Sequence, residues 1–156
     1  MHSRRWLALL TLLIAPTLTH AQSRITVSRV IPYHEGVGSD ALRTQCDWNT
    51  RLSAELVTDT HGQVVATDQD LAMSPGATLH MSIVNVHAIG GGHFSGPKWA
   101  ELNGELRDHG KLLGSFTARR QTSRGFSACS SLDHVGKAIA EDVASWLKAP
   151  VLDAHL

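Results

Sequence analysis

Cys46 and Cys129 are the only two cysteines in the 156 residues, and whether they are joined decides most of what the chain can fold into. The leader settles the expectation. His2, Arg4 and Arg5 open the sequence, Trp6 to Ala15 is an apolar run broken only by Thr11, and Thr19-His20-Ala21 sets small residues one and three positions before a cut at Ala21/Gln22. This is the layout of a secretory signal peptide, and the run is too short for a membrane span. A signal over residues 1–21 leaves 22–156 as one exported domain. In an oxidising compartment an even pair of cysteines reads as a disulfide, expected here as Cys46–Cys129. Closing a loop of that length restricts the unfolded chain by up to about 4.5 kcal/mol in the chain-entropy model.

Export also removes charge. Losing Arg4 and Arg5 leaves 12 basic against 14 acidic residues, a formal charge of −2. That balance excludes a dedicated nucleic-acid binder, which needs a basic surface. No later segment is apolar enough to span a membrane.

Periodicity supplies the elements. Ile25 to Ile31 alternates apolar and polar residues up to Pro32 and predicts a first strand. Ser39 or Asp40 caps a helix whose stripe is Leu42, Cys46, Trp48, Leu52 and Leu56. Val64 to Ala66 is a weak strand, and Leu79, Met81 and Ile83 mark another that runs towards Ile89. Residues 99–107 and 111–119 predict a hairpin around a three-residue turn, Asp108-His109-Gly110. Matching apolar to apolar sets Leu106 opposite Leu112, Gly104 opposite Gly114, Leu102 opposite Phe116 and Ala100 opposite Ala118. Trp99 then faces Arg119, with Glu101 diagonal to it. The facing glycines leave a dip that a helix can approach closely. Ser130 or Ser131 caps the last helix, striped by Val135, Ile139, Val143, Trp146 and Leu147 and ended by Pro150. The sum is an α+β fold in the order β-α-β-β-β-β-α: a mostly antiparallel sheet of about four strands with two helices on one face.

The most unusual segment is Gly90-Gly91-Gly92-His93-Phe94-Ser95-Gly96-Pro97-Lys98. Its glycines can turn backbone amides towards one anion, with Ser95 and Lys98 assisting. It is not a P-loop, because a strand rather than a helix follows Lys98. The plain alternative is a hairpin loop whose glycines serve backbone geometry. Eight histidines remain beyond the leader. His87 and His93 flank the glycines as candidate metal ligands, but a third ligand would have to come from Asp108 or His109. His80 and His87, seven apart on one strand, should face opposite sides. Gly92-His-Phe-Ser95-Gly96 lacks the spacing of a hydrolase elbow, and a paired Cys129 is no nucleophile. Glu101 and Glu105 read as a solvated strand face, and Arg119, Arg120 and Arg124 as a basic cluster split between two faces.

With these residues in hand, a resemblance can be stated. Gly90-Gly-Gly-x-x-Ser-Gly-Pro-Lys98, Gly104-x-Leu106, Gly114-Ser-Phe116-x-x-Arg119, Cys129 and Ile139-Ala-x-Asp142-x-x-x-Trp146-Leu147 resemble a set of short exported bacterial proteins of uncharacterised function. The resemblance implies a periplasmic setting and carries no activity. The leading functional expectation is a non-enzymatic periplasmic binding or interaction domain without a cofactor. Its contacts would be Gly90, Gly91, Gly92, His93, Ser95 and Lys98, and its partner an envelope protein or an anionic ligand. The alternative is a small metal-binding protein or enzyme built on the same loop.

Overall fold

The computed structural model describes residues 24–89 and 96–156; residues 1–23, which include the expected signal peptide, and the segment 90–95 lie outside the described residues. In chain order the elements are β1 (Ile25–Ser28), α1 (Asp40–Gln45), α2 (Trp48–Asp59), β2 (Val64–Thr67), a 3-10 turn (Leu71–Met73), β3 (Ala77–His87), β4 (Lys98–Asp108), β5 (Lys111–Thr122), α3 (Ala128–Trp146) and β6 (Ala154–His155). The fold is mixed α+β, as expected, but its sheet has six strands in the order β2-β1-β3-β4-β5-β6.

The sheet is less antiparallel than the sequence suggests. β1 pairs in parallel with both β2 and β3, and β6 pairs in parallel with β5; only β3–β4 and β4–β5 are antiparallel. The reason is the crossover. Helices α1 and α2 carry the chain back to the starting end of the sheet, so β2 must run in the same direction as β1. The two-residue β6 is too short to leave a periodic signal.

One predicted helix is two. Ser39 caps α1, with its side chain accepting from the Leu42 amide, and Cys46 ends it in an extended conformation. Asp47 then begins α2. The break lets α1 leave the core: none of its residues is buried, whereas α2 buries Trp48, Asn49, Leu52, Ser53 and Leu56. Helix α3 starts earlier than expected. Ser127 is its cap, and Ser130 is the reciprocal partner in a capping box, which satisfies two otherwise open amides. Cys129 therefore lies inside the first turn. The Cys46–Cys129 disulfide is formed, with Cα atoms 5.1 Å apart, and ties the α1–α2 junction to the start of α3.

α2 packs on α3 and β2, and α3 lies across β4 and β5. Their apolar faces meet Val27, Leu79, Ile83, Leu102 and Ala118, all fully buried, to form the core. The opposite sheet face is polar. Thr117 Oγ1 donates to Asn103 Oδ1 there, at 3.0 Å.

The β4–β5 register corrects the predicted one by two residues. His109 (φ 48°) and Gly110 (φ 79°) form a two-residue turn that pairs Asp108 with Lys111, a geometry that requires positive φ at both positions. Leu113 is then extra on β5, and the ladder resumes with Leu106 opposite Gly114, Gly104 opposite Phe116, Leu102 opposite Ala118 and Ala100 opposite Arg120. Glu101, not Trp99, stands opposite Arg119. A shift of two preserves the buried face but changes the packing. Instead of facing each other, each glycine lies under a ring. A Cβ on Gly104 would collide with the edge of the Phe116 ring, and one on Gly114 would fall 2.6 Å from Trp146 Cζ2. The two rings meet edge to face with centroids 4.9 Å apart. Gly104→Ala is therefore expected to destabilise the fold by about 2 kcal/mol through overpacking, visible as a lowered thermal midpoint; an unchanged midpoint would show that the ring moves aside freely.

Arg51 links the two long helices, with Nη1 3.1 Å from Asp133 Oδ2 and Nε 3.1 Å from Asp47 Oδ1. Burial pushes the Asp133 carboxyl above the ordinary range; Arg51 works against that, and Asp47 adds to it. A raised folded-state pKa means that ionising Asp133 opposes folding as pH rises through that value. Asp133→Asn should thus match or exceed the wild-type melting temperature at pH 7. The difference should close as pH falls below about 4, where the wild-type carboxyl is neutral in both states. Lower stability of the variant at pH 7 would reverse this assignment.

Candidate functional site

β3 runs into the glycine segment, and β4 leaves it. The end of the sheet that carries this loop is also where β5 finishes and α3 begins. Of the candidate contacts, Gly90, Gly91, Gly92, His93 and Ser95 lie outside the described residues. Lys98 is described, and it is buried at 3% exposure. Its Nζ donates to the Gly96 carbonyl at 2.8 Å, so the ammonium holds the foot of the loop.

A groove of about 560 Å³ opens at the end of β3. Its lining comes from the stretch between Gly36 and Cys46, from Val86 to Ile89 at the end of β3, and from Ala128 and Cys129. The lining is mostly apolar apart from Ser39, Gln45 and His87.

The β3 side of the lining is held by local bonding. Residues 32–34 join β3 through a parallel bridge from Tyr33 to Ile83, in which Ile83 N donates to Pro32 O and His34 N to Ile83 O. Trp48 Nε1 donates to Tyr33 Oη at 2.6 Å. Burial raises the Tyr33 hydroxyl above its ordinary range, with the Trp48 bond and Arg43 opposing, so the hydroxyl stays protonated at neutral pH. The disulfide lies in the lining and joins two of its segments, which are distant in sequence.

On the polar sheet face, at the same end, three side chains stack. The rings of His87 and Trp99 lie 15° from parallel with centroids 5.9 Å apart, and Arg119 Cζ sits 4.4 Å from the centre of the Trp99 ring. Arg119 therefore reaches diagonally to Trp99 although its cross-strand neighbour is Glu101. Stacking of this kind fixes a guanidinium in place. Arg120 points the other way and pairs with Asp142 at 2.7 Å. The split of the basic cluster between two faces is as expected.

His80 and His87 are on the same face, contrary to the seven-residue count. Val84 is an extra residue on β3, between Ile83 opposite Leu102 and Asn85 opposite Glu101. The bulge turns His87 onto the side occupied by His80. Alternation alone cannot register such an insertion. The two remain about 20 Å apart along the strand. Asp108 and His109 lie at the far end of the β4–β5 hairpin and bond to each other at 2.8 Å, too distant to complete a site with His87. Among the described residues no group of three or more His, Cys, Asp or Glu side chains converges to hold a metal ion.

The groove is not legible in the sequence. Its walls come from three separated segments, and only the glycines after Ile89 mark the region.

Comparison with known proteins gives a likeness of fold. No family model matches the chain, and no curated protein matches it. Among solved structures, a PelC dodecamer from Paraburkholderia phytofirmans superposes with a TM-score of 0.51 at 18% identity, over 85% of this chain and 93% of that one. A point-substituted form of the same dodecamer, in another space group, gives a TM-score of 0.51 at 17% identity, over 80% of this chain and 89% of that one. Protein XCC0632 from Xanthomonas campestris, of the DUF330 family, gives a TM-score of 0.47 at 13% identity, over 88% of this chain and 91% of that one.

Replacing both Cys46 and Cys129 with serine is expected to cost about 2–4 kcal/mol of stability. It should also expose the tryptic sites nearest the groove, Arg43 and Arg124, to faster cleavage. Equal cleavage rates with and without the bridge would separate the disulfide from groove shape.

Proposed function

We propose that this chain is an exported, non-enzymatic interaction domain of the bacterial cell envelope, working through the end of the sheet from which the glycine loop leaves. The observation that carries this reading is the groove at the end of β3. It is open, lined by both apolar and polar groups, and braced by a disulfide, which suits contact with a folded or extended chain. The buried Lys98 ammonium, bonded to the Gly96 carbonyl, fixes the start of β4 at this end of the sheet. Two PelC chains of similar fold are dodecamers, which supports a role built on contacts between folded chains. No helix among the described residues is long and apolar enough to cross a membrane. Periplasmic location rests on the leader and on the cysteine pair.

Two measurements test the reading. The mass of natively produced protein should correspond to a chain starting at Gln22 with both thiols blocked; an intact leader with two free thiols would remove the envelope assignment. Exchange of residues 90–95 for a glycine–serine linker of equal length retains Lys98 and should leave the near-ultraviolet circular dichroism unchanged. It should abolish crosslinking to envelope proteins in cells. An unchanged crosslinking pattern would remove the loop from the function.

A further inference from the structure

The Cys46–Cys129 bridge differs from an internal staple in where its sulfurs sit. Both cysteines line the open groove. Cys46 is 6% exposed, but Cys129 is only half-buried, in the first turn of α3. Its sulfur lies 3.7 Å from the carbonyl oxygen of Gln45, the last residue of α1. A dissolved thiol can reach this sulfur, as it could not reach a disulfide sealed in the core.

The two sides of the bridge are held very differently. On the α3 side Ser131, Leu132 and Val135 are buried, and Asp133 pairs with Arg51 of α2. On the other side α1 buries no residue, and Leu42 alone packs partly against the core. The side-chain hydrogen bonds of α1 are local. The Leu42 amide donates to Ser39 Oγ, Thr44 Oγ1 to the Asp40 carbonyl, and Arg43 Nη2 to the Gly38 carbonyl. Gly38 is wedged against Val86 and Tyr33. Trp48 is fully buried, with its indole bonded to Tyr33. Residues 39–46 thus form a short arc between two fixed points, and the bridge is the covalent bond that holds the arc on α3.

We propose that this bridge is a thiol-operated switch of the groove: a dithiol reductant opens it, α1 lifts from α3, and the contact surface is lost while the rest of the fold stands. This rests on the reading that the groove is a contact surface, and it adds the regulation of that surface. In the first step a thiolate of the reductant attacks the Cys129 sulfur. The S–S bond breaks, and Cys46 leaves as a thiolate that takes a proton from water. In the second step the reductant's other thiolate attacks its own bound sulfur and displaces Cys129. A thiolate leaving from the first turn of a long helix is stabilised by the positive helix end. The reductant becomes a disulfide, and its two electrons and two protons end on Cys46 and Cys129.

The test treats the mature, disulfide-bonded chain with dithiothreitol, without denaturant, and follows amide hydrogen exchange and far-ultraviolet circular dichroism. Reduction should speed exchange over residues 39–46 about tenfold or more, leave exchange over 132–143 and the circular dichroism unchanged, and reverse on reoxidation with oxidised glutathione. The double variant Cys46→Ser/Cys129→Ser should show the fast pattern from the start and ignore the dithiol. A bridge that opens only in denaturant would overturn the inference. So would unchanged exchange over 39–46 after reduction, or unfolding of the whole chain. In cells the double variant should lose its envelope crosslinks. Retained crosslinks would remove the switch and leave the proposed function standing. Crosslinks lost in the double variant but kept on exchange of residues 90–95 would remove the loop from the function and keep the switch.

Discussion

The seating of two aromatic rings over two glycines organises the fold. Phe116 covers Gly104 on the neighbouring strand, Trp146 of α3 covers Gly114, and the rings touch edge to face. A side chain at either glycine would occupy the ring's place. The arrangement sets the β4–β5 register and fixes how closely the end of α3 can approach β5. The start of α3 is fixed independently by the disulfide, so the helix is held at both ends, and α2, packed along it, takes its position from α3. Everything on the helical side of the sheet follows from these two anchors.

Much of this is readable from residue pattern, and the failures have physical causes. The inward alternation of Ala100, Leu102, Gly104 and Leu106 against Gly114, Phe116 and Ala118 is correct, and so is the idea that the glycines admit a close neighbour. The expected pairing is off by two because a two-residue turn and the extra Leu113 are jointly invisible to alternation: together they return every side chain to its expected face. Val84 produces the opposite error, since a single uncompensated bulge reverses the face of every residue after it, His87 included. The parallel half of the sheet escapes a sequence reading for another reason. Direction in a sheet depends on where a crossover delivers the chain, and the short strands β1 and β2 look alike whichever way they run.

The candidate site is legible only in outline. The glycine run draws notice to the right end of the sheet, yet the groove is assembled from the stretch 36–46 that holds α1, the end of β3 and the first turn of α3. No local pattern links those segments; the sulfur bridge joins two of them, and it is the one long-range contact that the cysteine count makes predictable. The role of Lys98 also changes with the structure. Read along the chain it is a cation following glycines, whereas folded it is buried at the hairpin foot with its ammonium on a backbone carbonyl.

The placement of the two cysteines has a consequence for how the chain acquires its native state. Cys46 emerges from synthesis 83 residues before Cys129, and its partner belongs to the last long helix. Through most of chain elongation the first sulfur has no intramolecular mate, so native pairing waits until the meander and α3 have docked. With two cysteines there is a single way to pair within one chain, and no shuffling among wrong internal bridges can delay it. The competing reaction is between chains, and its rate rises with the crowding of half-made copies rather than with any feature of the finished fold.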